Sequence, residues 1–192
     1  MKQILTREQE ARKTRRNQLI IGIILVGLMI LSTAGYAINN EGQTTTSSQV
    51  KYKGITFVKS SDYWDFSFNG QNFITRYNPE EVKDINVFTQ LTLNSYAGKP
   101  LYLVTESGQP EIELTTNLKN SVLRIQNACI SEKNCENNLP VKNCSIDNVI
   151  VIKEIINATE SIYQDKNCVF ITAEYSNLTR YEDAFLFKIL GI

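Results

Sequence analysis

The sequence predicts an α/β or α+β sandwich: a mixed β-sheet with an N-terminal β-hairpin and packed helices, preceded by one transmembrane helix. Three observations predict it. Leu19 to Ile38 form an apolar run inside a stretch, Asn17 to Asn40, that holds no charged residue. Asn69-Gly70 sits between two alternating runs, DYWDFSF and QNFITRY. Beyond Ala97, short runs of β-forming residues alternate with segments of helical periodicity, the order that builds a sheet with helices packed on it.

The uncharged stretch comes first. As a helix rising 1.5 Å per residue, it would reach roughly 36 Å, enough for the ~30 Å hydrocarbon layer of a bilayer. Before it, Lys2, Arg7, Arg12, Lys13, Arg15 and Arg16 outweigh Glu8 and Glu10. Such a basic flank stays in the cytoplasm and sends the remainder across. The reading is a cytoplasmic tail over residues 1–17, a single-pass signal-anchor in the lipid bilayer over 18–38, and a C-terminal part outside the cytoplasm. A signal peptide cleaved after Ala37 competes with it, because Leu19 to Leu31 also has the length of a signal-peptide core. Both readings place the rest of the chain in an extracytoplasmic compartment. Residues 39–49, NNEGQTTTSSQ, lack any apolar side chain and read as a polar stalk. The folded domain is then 50–192, the size of one domain with a true core.

A strand is expected from Tyr52 to Val58. In the hairpin, a two-residue type I′ turn at Asn69-Gly70 pairs Phe68 with Gln71, Phe66 with Phe73 and Trp64 with Thr75. Trp64, Phe66, Phe68 and Phe73 then share one face, and Asp65, Ser67, Asn72 and Ile74 the other. The aromatic face reads as core of a half-buried sheet. A stacking platform for sugar or single-stranded nucleic acid is the other use of such residues. The acidic balance after residue 38, where 14 basic side chains meet 18 acidic ones, speaks against nucleic acid. Asn78-Pro79-Glu80-Glu81 has the form of a capping box and predicts one or two helical turns through Ile85. Asn86 to Leu93 fits helix or strand equally.

Pro100 to Thr105 reads as a buried strand. A helix follows, with Leu114, Leu118 and Val122 on one stripe, and then a return strand through Leu123, Ile125 and Ala128, a β-α-β unit with parallel strands. Strands are expected again at Val149 to Ile156, Ser161 to Tyr163 and Cys168 to Glu174. A last helix follows Asn177 as its cap, with Leu178, Tyr181, Phe185 and Ile189 on one face and Gly191 closing it.

Cys129, Cys135, Cys144 and Cys168 all lie beyond the apolar segment, and an even count there suggests two disulfides. Of three connectivities, the one favoured joins Cys129 to Cys135 across the short loop ISEKN, and Cys144 to Cys168 within the terminal sheet. Zinc is the competing use, but no C-x-x-C knuckle is present. The same lack argues against a thioredoxin-type exchange motif.

The chain contains no histidine, which removes Ser-His-Asp and Cys-His catalysis and imidazole metal sites. No P-loop, G-x-S-x-G or G-x-G-x-x-G occurs, so no catalytic, metal-binding or cofactor-binding residue is assigned and no cofactor is expected. Asn143, Asn157 and Asn177 begin N-x-S/T sequons, no more than chance supplies in a chain rich in Asn, Ser and Thr. Asn157, in an expected turn, is the best glycosylation acceptor of the three.

The basic leader, the anchor ending in LSTAGYA, and the segments KYKGITFV, FNGQNF, NPEEVKDI, LPVKNC, SIYQDKNCVFI and FLFKILGI resemble an uncharacterised family of small membrane-anchored archaeal proteins. The resemblance implies a cell-surface setting and a cysteine-stabilised second half, and no activity. The expected function is a membrane-tethered, non-catalytic binding domain for a protein or envelope partner. The alternative is an extracytoplasmic enzyme, either thiol-redox through Cys144 and Cys168 or a carboxylate-based hydrolase.

Overall fold

The structure is a computed structural model that describes residues 15–29, 48–105, 112–133, 135 and 138–192. The chain divides into two compact units, residues 1–46 and 47–192. Of the first, one helix is described, α1, over residues 15–29. Its described part spans about 22 Å at 1.5 Å per residue and includes the polar Arg15, Arg16, Asn17 and Gln18. The expectation of a transmembrane helix over 18–38 is therefore corrected. Among the described residues, no helix is long and apolar enough to cross a membrane. Residues 30–38 of that expectation lie outside the described residues, as do the tail up to residue 14 and most of the polar stalk.

The second unit is α+β and is built on two sheets rather than one. Four strands, β1 (Gln49–Tyr52), β2 (Ile55–Ser60), β3 (Tyr63–Phe68) and β4 (Gln71–Thr75), form an antiparallel meander. The single strand expected from Tyr52 to Val58 is two strands. Lys53 and Gly54 both take positive φ, 46° and 84°, and turn the chain back so that Tyr52 pairs with Ile55. At Asn69-Gly70, φ is 50° and 78°, and Phe68 pairs with Gln71, Phe66 with Phe73 and Trp64 with Thr75. Period-two alternation then sends Trp64, Phe66 and Phe73 inward and leaves Asp65, Ser67, Asn72 and Ile74 on the outer face.

The six-stranded sheet comprises β5 (Val87–Phe88), β6 (Pro100–Thr105), β7 (Arg124–Asn127), β8 (Asn148–Glu154), β9 (Ser161–Asp165) and β10 (Cys168–Ala173). Its order is β5-β9-β10-β8-β6-β7, parallel except for the antiparallel β9–β10 pair. Helices α2 (Leu93–Tyr96), α3 (Ile112–Leu118) and α4 (Leu178–Leu190) complete the unit, with a 3₁₀ turn at Tyr175–Asn177 leading into α4. The segment from β6 through α3 to β7 is the β-α-β unit read from the sequence, with parallel strands.

Two helix expectations change. Residues 78–85 form turns and no helix, although the capping-box bonds are made: Asn78 Oδ1 accepts from the Glu80 and Glu81 amides, and Glu81 Oε2 accepts from the Asn78 amide. The reason is Arg180, whose guanidinium donates twice to the Glu81 carbonyl, at 3.1 and 2.8 Å, and pairs with Asp84. A helix would need that carbonyl for Ile85, whose amide binds the Val82 carbonyl instead. At α4, Asn177 occupies the cap position without a side-chain capping bond. Its amide donates to Glu160 Oε1. Gly191, at φ 78°, does close α4, as expected.

The core is one apolar cluster reaching both sheets through α4. Phe187 of α4 meets the rings of Phe57 and Phe66 at 5.9 and 5.8 Å, Phe185 meets Tyr96 at 6.5 Å, and the helix also packs on β10. Phe73, stacked on Phe66 at 5.3 Å, is 1% exposed, whereas Ile74 beside it is 41% exposed. Phe73→Ala is expected to cost about 3–5 kcal/mol and Ile74→Ala about 0.5 kcal/mol or less. Urea denaturation of the two variants checks the inward and outward assignment of β4.

Candidate functional site

On the outer face of the meander, register fixes a cross-strand row of Val58, Asp65 and Ile74 and, next to it, the pair Ser67 and Asn72, and Thr56 lines the same face. Beside β4 stands α3, and Asn117 joins the two. Its Oδ1 accepts from the Ile74 amide at 2.9 Å, and its Nδ2 donates to the Ile74 carbonyl at 2.7 Å and to the Glu113 carbonyl. One carboxamide thus occupies the free edge of β4 as a neighbouring strand would. The end of α3 and the residues after it, Thr116, Lys119 and Asn120, rise as a wall beside the row and the pair. Floor and wall enclose a groove of about 830 Å³, within the range of small-molecule sites.

The polar groups of this groove are hydroxyls, carboxamides, one carboxylate and one ammonium. Ser67 Oγ donates to Asn72 Oδ1 at 2.6 Å, which leaves the Asn72 amide nitrogen as a donor. The side chains of Thr56, Asp65, Thr116, Lys119 and Asn120 make no hydrogen bond or ion pair with other described residues. Their bonding capacity faces solvent. No spacing in the sequence pairs β3 with residues 116–120, so sequence reading placed no site here. The outward set Asp65, Ser67, Asn72 and Ile74 was the available signal.

Carboxyl groups gather elsewhere. Asp183 in α4 is 1% exposed, and its Oδ2 accepts from the Arg76 and Tyr77 amides at 3.0 and 2.9 Å. Burial, followed by the neighbouring charge of Glu113, holds Asp183 well above the usual carboxylate range. Burial also raises Glu113, opposed by its hydrogen bond with Asp183 and by Arg76. The two acids lie together at the α3–α4 contact, where burial favours the neutral form of each. Neither lines the groove, and Asp183 is spent on backbone amides, so the pair joins β4 to α4 instead of performing acid-base work. Among the described residues, no three His, Cys, Asp or Glu side chains are placed to hold a metal ion.

The cysteines pair as Cys129–Cys135 and Cys144–Cys168. Cys168 is wholly buried and lies in a second apolar cluster on the outer face of the six-stranded sheet, with Tyr102, Ala128, Val149 and Val151, and Cys144 packs against it. Arg124 donates to the Tyr102 hydroxyl at 3.2 Å, and Lys142 lies 3.9 Å from its ring centroid. The Arg124 bond first, and Lys142 second, pull the phenol below its ordinary pKa. Further along this face Phe88 and Tyr163 are exposed, and Tyr163 stacks on Phe170 at 5.0 Å. Asn157 is exposed in its turn, as a glycosylation acceptor must be. Compared with known protein families, characterised proteins and solved structures, the chain matches none.

Two predictions follow from these groups. Because the pKa values of Asp183 and Glu113 are raised on folding, the native state binds protons more tightly than the unfolded chain. Their contribution is therefore most favourable below the unfolded carboxylate range, about pH 4, and is lost as pH rises through the folded values. Asp183→Asn retains an acceptor for both amides and removes the acid, so its stability is expected to vary less with pH than that of wild type. Urea midpoints measured from acid to neutral pH test this, and an unchanged pH slope would count against a raised Asp183 carboxyl. Opening the Cys144–Cys168 bridge by Cys→Ala replacement of both residues is expected to cost roughly 3 to 3.5 kcal/mol through loop-closure entropy. In alkylation mass spectrometry with mild reductant, Cys129 and Cys135 are expected to label before the buried Cys168 and its partner.

Proposed function

We propose that the protein is a non-catalytic binding domain of an oxidising, extracytoplasmic compartment, held at a lipid surface and using the groove between the meander and α3 as its binding site. The observation that carries the reading is the groove itself. A cavity of ligand size is edged by five polar side chains, Thr56, Asp65, Thr116, Lys119 and Asn120, that bond to no other described residue, and satisfying them is what a bound polar molecule would do. The groove holds a single carboxylate, Asp65, and no thiol, while acid-base hydrolysis by carboxylates uses a pair.

Several features support the setting. Both disulfides join cysteines of the folded unit, and such bonds persist in oxidising compartments. The burial of Cys168 suits a structural sulfur, since exchange needs access for an attacking thiolate. In α1, nine large apolar side chains from Leu19 to Met29 are 48 to 72% exposed, behind Arg15 and Arg16. An apolar helix with a basic flank of this kind partitions to anionic lipid surfaces. The segments that resemble small archaeal surface proteins accord with the same setting.

The attachment is tested by co-sedimentation with anionic phospholipid vesicles. The full chain is expected to pellet, and a chain beginning at residue 47 to remain in solution. The binding role is tested by thermal shift with envelope polysaccharide and with a tryptic peptide mixture. A ligand at 100 times its dissociation constant is expected to stabilise the fold by about 2.7 kcal/mol, and the Asp65→Ala, Asn120→Ala double variant to lose that gain. If neither preparation shifts the wild-type transition, the binding reading fails.

A further inference from the structure

We infer that the groove is a site for a neutral saccharide. The inference rests on the binding reading above and gives that site its ligand class. Three properties of the groove lead to it.

Charge comes first. Asp65 and Lys119 are the two ionisable side chains of the lining, one of each sign. A phosphate or nucleotide would meet one ammonium and one opposing carboxylate, a poor match for an anion, and a cationic ligand would meet the reverse. The remaining polar groups are hydroxyls and carboxamides: Thr56, Ser67, Asn72, Thr116 and Asn120. These both donate and accept, or present a donor and an acceptor in one plane. Sugar hydroxyls have the same dual character, and a planar carboxylate or amide can bridge two neighbouring ones.

Shape and polarity come next. In the first floor row the carboxylate of Asp65 lies between two apolar side chains, Val58 and Ile74, and Ile74 is 41% exposed. The pair next to it, Ser67 and Asn72, is hydrogen-bonding on both sides. A pyranose ring has the same division, with C–H groups on its faces and hydroxyls around its rim. Laid on Val58 and Ile74, it would bring its rim to Asp65, to the Ser67–Asn72 pair and to the α3 wall. A wholly apolar ligand would strip water from these polar groups without replacing their bonds.

The edge of β4 decides against a peptide. Extended peptides bind sheet domains by adding a strand to a free edge. Beside the groove, the amide and carbonyl of Ile74 are already taken by Asn117, so an added strand could not pair with β4 at that position. The same two bonds hold α3 in place, and the 2.6 Å Ser67–Asn72 bond orients the floor. The site is therefore ordered before a ligand arrives, which lowers the entropy lost on binding.

The test uses the full chain in lipid nanodiscs, avoiding detergents with sugar headgroups. Neutral trisaccharides of glucose, mannose, galactose and N-acetylglucosamine, inorganic phosphate and an uncharged octapeptide are titrated separately, followed by calorimetry and by the side-chain amide resonances of Asn72, Asn117 and Asn120. At least one trisaccharide is expected to bind and move these resonances. Asp65→Ala and Asn120→Ala are each expected to weaken it about tenfold, the loss of roughly 1.4 kcal/mol of hydrogen bonding. Phe88→Ser, on the other sheet, is expected to leave it unchanged. Saccharide binding that the groove variants do not alter overturns the site. Binding of phosphate or peptide in the groove without saccharide overturns the ligand class and leaves the binding reading standing. If no probe binds, both fail.

Discussion

The structure depends on the burial of α4 between two sheets. A surface helix needs one apolar stripe, but α4 is buried on nearly every side: Ala184, Phe185, Leu186, Phe187, Ile189 and Leu190 all lie in the core. Phe187 supplies contacts to the meander and Phe185 to the Tyr96 region. Without this helix the two sheets would share little. The cost of its position is that polar residues go in with it. Asp183 resolves that cost by accepting two backbone amides where the chain leaves β4, and burial favours its neutral form. A buried ionisable pair thus acts as a joint, placing β4 and α3 on the same helix.

The groove is a by-product of that joint. Once β4 and α3 are both referred to α4, Asn117 comes within reach of the β4 edge and occupies it at Ile74. An exposed strand edge would invite pairing with other chains, so the carboxamide removes an aggregation risk. It also turns the helix end into a wall. The outer face of the meander, which would otherwise be a flat solvated surface, becomes the floor of an open groove edged by polar groups. The cysteine-bearing part of the unit takes no part in this. There, the Cys144–Cys168 bridge and the Tyr102–Arg124–Lys142 cluster cover part of the opposite sheet and hold the loop before β8 in place.

Local signals account for much of the fold. Asn69-Gly70 set the hairpin register to the residue, because only one turn geometry lets both positions take positive φ and match the strand twist. Pro100 to Thr105 and Cys168 to Ala173 could be read as buried strands because both faces are apolar. Where sequence reading went astray, a distant partner intervened. Arg180 lies 99 residues from Glu81, and its claim on one carbonyl converts a sound capping box into a turn. Asn177 has the composition of a helix cap, yet Glu160 takes its amide. The expected membrane crossing rested on an uncharged run, whereas no helix among the described residues is long and apolar enough to cross a membrane.

By itself, the sequence determined the hairpin, the faces of its strands, the supply of cysteines in the folded unit, and the absence of histidine chemistry. These depend on neighbouring residues, whose spacing matches the period of a strand or helix. Only the tertiary structure decided that two sheets form instead of one, that Asp183 and Glu113 meet in the interior, and that Asn117 reaches Ile74 across 43 positions. Such contacts depend on how whole elements stack once apolar area is buried. No local period records that outcome, and the groove that carries the proposed function exists only because of it.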